Sequence, residues 1–162
     1  MSIEKPTELD EQLMAQAIAE AQSAIDQGKA GVGALLAWND EVLAIGHNAY
    51  EETKDQINHA EIVVLHSAAD RMADLSDAER EKLTLYSTLE PCLMCMSALS
   101  IAGIKRVVYS ALTEDANEEQ QVVKGLTAPD IHADLARGEM TIIPGVQRDK
   151  GQHLLAQMGK NS

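Results

Sequence analysis

"NHAEIV" (residues 58–63) and "LEPCLMCM" (residues 89–96) are the two stretches that decide how this 162-residue chain is read. The second holds both cysteines of the chain, Cys92 and Cys95, three residues apart behind Pro91. On a helix that spacing places two side chains on one face, within reach of one metal ion. At a helix start the positive end of the dipole also favours the thiolate form. His59 and Glu61 are only two residues apart, so on a regular helix they would point to nearly opposite sides. They can serve one site only if it lies off the helix end, with His59 at the very start and Glu61 in the first turn. Two helix starts, near residues 59 and 91, would then converge and bring His59, Cys92 and Cys95 within ligand distance. A structural zinc is closed by four protein ligands, whereas a catalytic zinc keeps one position for water, so three ligands beside a carboxylate match the catalytic count. Two thiolates leave the metal a weaker acid than three histidines would, which makes a neighbouring base more necessary, and Glu61 is placed to be it. Two other readings stay open. Cys92 and Cys95 could be a redox pair, which leaves His59 and Glu61 unexplained, or Glu61 could close a structural zinc as its fourth ligand.

The elements around these stretches set the fold class. Residues 8–27 predict an amphipathic helix, with Leu13, Met14, Ala17, Ile18, Ala21, Ala24 and Ile25 at helical spacing, Thr7 as cap and Gly28 as stop. "VGALLAW" and "EVLAIGHN", separated by Asn39 and Asp40, predict a hairpin. A second helix is expected from about Ala60 to Met72, burying Ile62, Leu65, Ala69 and Met72. "LTLYST" (83–88) predicts a strand, and a helix from Pro91 to near Gly103 follows it. "KRVVYSAL" predicts another strand. Residues 114–138 are polar and loosely helical, before a strand in "MTIIPGV" and a closing helix in "GQHLLAQM". Strand and helix alternate after the hairpin, so the expected architecture is α/β: a three-layer α/β/α sandwich around a mixed sheet of about five strands. Nothing marks a boundary inside residues 1–162, which are expected to form one domain. In such folds ligands bind where loops and helix starts gather at one sheet edge.

Composition narrows the function. Thirteen Lys and Arg stand against twenty-six Asp and Glu, a formal charge of -13. That balance disfavours a polyanionic partner, because it removes the counterion release that drives most nucleic-acid binding. Lys105 with Arg106, or Arg148 with Lys150, could still form a local basic patch. No stretch approaches the roughly twenty apolar residues of a membrane span, and "MSIEKPTELDEQ" lacks the basic-then-apolar order of an export signal, so a cytoplasmic location is expected. Two cysteines are too few for a disulfide scaffold.

"HAE" at 59–61 and "PCLMC" at 91–95 resemble the zinc-dependent cytidine and nucleobase deaminase superfamily, over about residues 8–112. The resemblance implies one zinc per chain on His59, Cys92 and Cys95, with water at the fourth position. It implies that Glu61 carries protons between that water, the ring nitrogen and the departing amine. Asn48, in "GHN", matches an asparagine that holds the substrate. Gly33 and Ala34, in "VGA", match the strand start bordering the pocket, and Glu90 matches a glutamate of the tRNA adenosine and guanine deaminases. A homodimer is the usual assembly. "TLEPCLMC" is closest in wording to the tRNA adenosine deaminases, but an anticodon loop needs basic side chains to hold it and a base flipped out. The expected substrate is therefore a free nucleobase or similar small aminated heterocycle, guanine first, with tRNA adenosine and a non-catalytic zinc-stabilised binding domain as alternatives. There is no Phe, and Trp or Tyr is absent beyond Tyr109. Stacking on the ring is left to Trp38, Tyr50, His132 or a partner subunit.

Overall fold

The structure is a computed structural model and describes residues 4–160. Helix α1 (Glu8–Asp26) opens the chain on a capping box: the Thr7 hydroxyl accepts from the Asp10 N–H while the Asp10 carboxylate accepts from the Thr7 N–H. Strands β1 (Gly33–Trp38) and β2 (Glu41–His47) form an antiparallel hairpin whose turn puts Asn39 at a φ of 52°. One turn of helix, α2 (Tyr50–Thr53), leads to α3 (Ala60–Ser67), α4 (Ala69–Ala73) and α5 (Asp77–Arg80). Strand β3 (Leu83–Leu89), helix α6 (Leu93–Ile101) and strand β4 (Arg106–Ala111) follow. Two 3-10 turns, Thr113–Asp115 and Glu118–Gln120, then lead to α7 (Ala128–Ala133), β5 (Thr141–Ile143) and α8 (Arg148–Lys160).

The five strands make one mixed sheet in the order β2-β1-β3-β4-β5, antiparallel as far as β3 and parallel beyond it. The two-residue strand period sorts its side chains between two cores. Leu35, Ala37, Tyr86, Val108 and Ile143 pack against Leu13, Met14 and Ala17 of α1. Ala34, Leu36, Leu85, Val107 and Tyr109 pack on the other side against α3, α6 and α7 through Val64, Leu99 and Ile131. Helix α8 joins α1 through Leu154, Ala21 and Ile25. This is the expected three-layer sandwich, and among the described residues no helix is long and apolar enough to cross a membrane.

Three local expectations change. The helix predicted to run to Met72 breaks at Ala68, whose ψ of 1° interrupts the spiral. Its buried stripe is also phased differently: Ala60, Val64, Leu65, Ala68 and Met72 enter the core, while Ala69 is exposed. Pro91 lies outside α6 rather than in its first turn, because Cys92 is the extended N-cap, with a ψ of 175°.

Candidate active site

Both ligand-bearing stretches end at helix starts. His59 is the N-cap of α3 and Cys92 the N-cap of α6, each with extended backbone, and Cys95 lies one turn into α6. The converging starts bring the His59 Nδ1 to 3.7 Å from the Cys92 Sγ and 3.6 Å from the Cys95 Sγ. All three donor atoms lie within 4.8 Å of one another, the one such His, Cys and acid group among the described residues. Bonds of about 2.05 Å to nitrogen and about 2.3 Å to sulfur, at a tetrahedral angle, separate N from S by about 3.6 Å. The donors therefore stand where tetrahedral zinc needs them, and both thiols are free of disulfide. A hydrogen bond from the Cys95 thiol is the largest influence on Cys92 and, with His59, outweighs burial to bring its pKa down to about 4. The same bond and burial push Cys95 upward. One sulfur is thus ready as a thiolate, and the second would release its proton to solvent on binding a metal.

Glu61 sits in the first turn of α3, 4% exposed, at the floor of the cavity that His59 and Cys92 also line. Burial is the main cause that raises its pKa to about 7. The cavity holds about 270 Å³, just below the range typical of small-molecule pockets and matched to one heterocyclic ring rather than a whole nucleotide.

Asn48 lines this cavity too, with its Oδ1 accepting from the Val32 N–H at 3.3 Å. Its Nδ2 has no hydrogen-bond partner among the described residues. Glu90 also borders the cavity, but both its carboxylate oxygens accept from backbone, the Thr113 N–H at 2.9 Å and the Ala128 N–H at 2.6 Å. Gly33 and Ala34 are not brought to the site. Val32 forms that part of the wall instead, while Gly33 faces α1, where a Cβ would meet the Ala17 carbonyl oxygen at 2.3 Å.

None of the expected stacking residues Trp38, Tyr50 and His132 reaches the cavity. Trp38 donates its indole N–H to the Glu79 carbonyl at 2.9 Å, and His132 is buried with its Nδ1 accepting from the Met140 N–H. Away from the metal ligands the lining combines the polar Thr113, Glu119, Gln120 and Gln121 with the aliphatic Ala116, Val122, Val123, Leu126 and Met158. The only signal of the aliphatic members in the sequence is the adjacent pair Val122 and Val123 in an otherwise polar segment. The arginine of each supposed basic patch is ion-paired, Arg106 with Asp10 and Arg148 with Asp115 and Glu114.

A mixed sheet whose edge carries one imidazole, two thiols at converging helix starts and a buried carboxylate defines a zinc-site α/β protein. The chain belongs to the cytidine and deoxycytidylate deaminase zinc-binding family, which it matches over residues 7–111. It is 40% identical over 96 residues to a tRNA-specific adenosine deaminase of Aquifex aeolicus, covering 59% of this chain and 62% of that one. The chain thus spans under two thirds of that relative's length. It is 34% identical over 154 residues to tRNA-specific adenosine deaminase 2 of Xenopus tropicalis, covering 92% of this chain and 88% of the relative. It shares its fold with guanine deaminase from Nitrosomonas europaea, at a TM-score of 0.77 and 22% identity, over 99% of this chain and 96% of that one.

Proposed function

We propose that this chain is a zinc-dependent hydrolytic deaminase acting on adenosine in tRNA, with the described residues working as one domain. The observation that carries the proposal is Glu61, a buried carboxyl in the ring-sized cavity that is also lined by His59 and Cys92 of the His59, Cys92 and Cys95 triad. Zinc held by that triad supplies a Lewis acid that makes water nucleophilic near neutral pH. Glu61 accepts a proton from the attacking water, passes it to the ring nitrogen, and serves the departing amine in the same way. A C–O bond forms at the ring carbon, the C–N bond to the exocyclic amine breaks, and ammonia leaves as the second product. Asn48 holds the ring through its Nδ2, and the aliphatic part of the lining excludes water from the ring.

The choice of adenosine in tRNA rests on the sequence relatives, both of which carry that name. It replaces the guanine preference drawn from charge. A free nucleobase, guanine among them, is the second reading, favoured by one observation: no lysine or arginine is among the described residues lining the cavity. Ammonia release separates the two, using a tRNA anticodon stem-loop against guanine, cytosine, adenine and their nucleosides. Deamination of the stem-loop, abolished by Glu61→Ala with zinc retained, is the expected result. Turnover of a free base alone selects the second reading, and no ammonia from any of them leaves a zinc-stabilised binding domain. The homodimer is part of the same proposal. Leu93 and Ile101 on α6, 41% and 66% exposed, offer it an apolar face, and sedimentation checks it.

A further inference from the structure

We propose that Glu90 is a positioning residue, whose carboxylate ties both ends of the segment 113–127, the far wall of the cavity, to the loop that carries Cys92. Three observations converge on it. First, the segment supplies Thr113, Ala116, Gln121, Val122, Val123 and Leu126 to the cavity lining, yet none of it belongs to the sheet. Second, Glu90 is only 7% exposed, and its carboxylate has no cationic partner among the described residues. Its oxygens accept instead from the Thr113 N–H at 2.9 Å and the Ala128 N–H at 2.6 Å. Third, neighbouring side chains satisfy the donors on either side of these two. Asp115 takes the Leu112 N–H at 2.8 Å, and Asp130 takes the Thr127 N–H at 3.3 Å. Glu90 therefore satisfies the donors at the two ends of the segment that these caps leave over, and Ala128 is fully buried.

Between those pins the segment is held from within. The Gln121 amide donates to the Thr113 and Ala116 carbonyls at 3.2 and 3.0 Å and accepts from the Gly125 N–H at 2.9 Å. Gln121 thus fixes the curvature of the wall, and Glu90 fixes its distance from the ligands. The Glu90 N–H, bonded to the Ala111 carbonyl at 2.9 Å, anchors the glutamate at the ends of β3 and β4. Only Pro91 separates Glu90 from Cys92, so a displacement of the wall is felt at the metal side of the cavity without any contact between Glu90 and the reacting atoms. Glu90 acts on the ring by setting where Val122 and Val123 stand.

The kinetic half of this inference rests on the deaminase reading; the structural half does not. The test is Glu90→Gln in the zinc-loaded full chain, because the amide sets an N–H donor against a backbone N–H and breaks one pin at nearly constant shape. Amide exchange in 113–128 should rise about tenfold or more while β1 and β3 stay protected. Zinc should remain at one per chain, and KM should rise about tenfold with kcat little changed, the pattern of a lost binding wall. Gln121→Ala, which loosens the same wall without touching Glu90, should move exchange and KM in the same direction, and it serves if Glu90→Gln does not fold. Unchanged exchange in 113–128, exchange rising equally throughout the fold, or zinc loss in either variant overturns the proposal. If exchange rises as expected but the unmodified protein releases ammonia from no substrate, the deaminase reading fails and the positioning role stands.

Discussion

Replacing Asp10 with alanine removes the polar lock of the sheet face opposite the site. Asp10 is 1% exposed and accepts four hydrogen bonds: two from Arg106 at 2.8 and 2.7 Å, one from the Tyr86 hydroxyl at 2.7 Å and one from the Thr7 N–H at 2.8 Å. It joins α1 to β3 and β4. Breaking a buried pair from one side costs about 3–5 kcal/mol, because the surviving charge is left desolvated. The Arg106 side chain keeps 22% of its exposure and has the Glu4 carboxylate 4.0 Å away. The expected cost is therefore near the low end, about 3 kcal/mol, or about 6–12 °C in Tm for a chain of this size. Burial on its own would raise the Asp10 pKa, but the bonds from Arg106, Thr7 and Tyr86 outweigh it and hold the carboxyl well below the usual range. A carboxyl depressed in the folded state is protonated first in the unfolded chain. Its contribution is then complete above about pH 4 and is lost as pH falls toward its folded pKa. Urea unfolding of the metal-free protein measures this, comparing Asp10→Ala, Arg106→Met and the double variant at pH 7 and near pH 3. The double variant should recover most of the single losses, since no buried charge is left unpaired. A cost under about 1 kcal/mol, a double variant as weak as the sum of the singles, or a gap between wild type and Asp10→Ala that is equal at both pH values refutes the reasoning.

Two further outcomes concern the site and its support. Gly33→Ala should cost about 1–3 kcal/mol in urea unfolding, as overpacking does, because its Cβ would stand 2.3 Å from the Ala17 carbonyl oxygen and 3.0 Å from the Ala21 nitrogen, both backbone atoms. KM should be unaffected, and a changed KM with unchanged stability would return Gly33 to the cavity wall. Lowering pH from 8 to 5 in dialysis should strip zinc, because protons compete for His59 and both sulfurs. Affinity should fall about tenfold per pH unit for each proton that binding releases, and metal analysis that finds occupancy flat over this range contradicts thiolate and imidazole ligation.

The metal site was legible in the sequence because its geometry follows from short-range rules. Residues two apart cannot share a helix face, so His59 and Glu61 had to sit at a helix start, and Cys92 and Cys95 required a second start facing it. The sheet was legible for a similar reason: its strands are short apolar runs with clear breaks, down to the Asn39 turn. The opposite wall of the cavity was not legible. Residues 113–127 have no periodicity; they are held from within by the Gln121 amide and pinned at Thr113 by Glu90, far back along the chain. Gly33 was expected at the site because "VGA" resembles the strand start bordering the family's pocket, and of that stretch Val32 is the residue that lines the cavity. The Gly33 backbone instead lies against α1, a contact with nothing in the local sequence to announce it. The phase of α3 failed for a related reason. Ala60, Val64, Ala68 and Met72 recur every four residues and make a stripe as regular as the expected one, so apolar spacing alone does not choose between the two.

Net charge and the names of the sequence relatives suggest different substrates, and screening makes charge weigh less than its total implies. At physiological salt, fields fade over about 8 Å, so acids on the far face of a sheet-based domain contribute little at the cavity mouth. What matters there is local. The loop from Asn48 to His59 carries Lys54, which lies 5.9 Å from the Tyr50 ring centroid, and the wall carries Lys124, whose side chain is 76% exposed and faces Glu118 at 3.3 Å. Lys124 adjoins Val123, which lines the cavity, while Glu119 lines it directly. Two phosphate contacts would give single-stranded RNA a salt slope of only about -1.4 on a log–log scale. An RNA substrate is therefore compatible with this surface only if shape and the flipped base supply most of the binding, with little left to electrostatic grip. That places the burden of recognition on the far wall of the cavity, and so on the carboxylate of Glu90 that holds it.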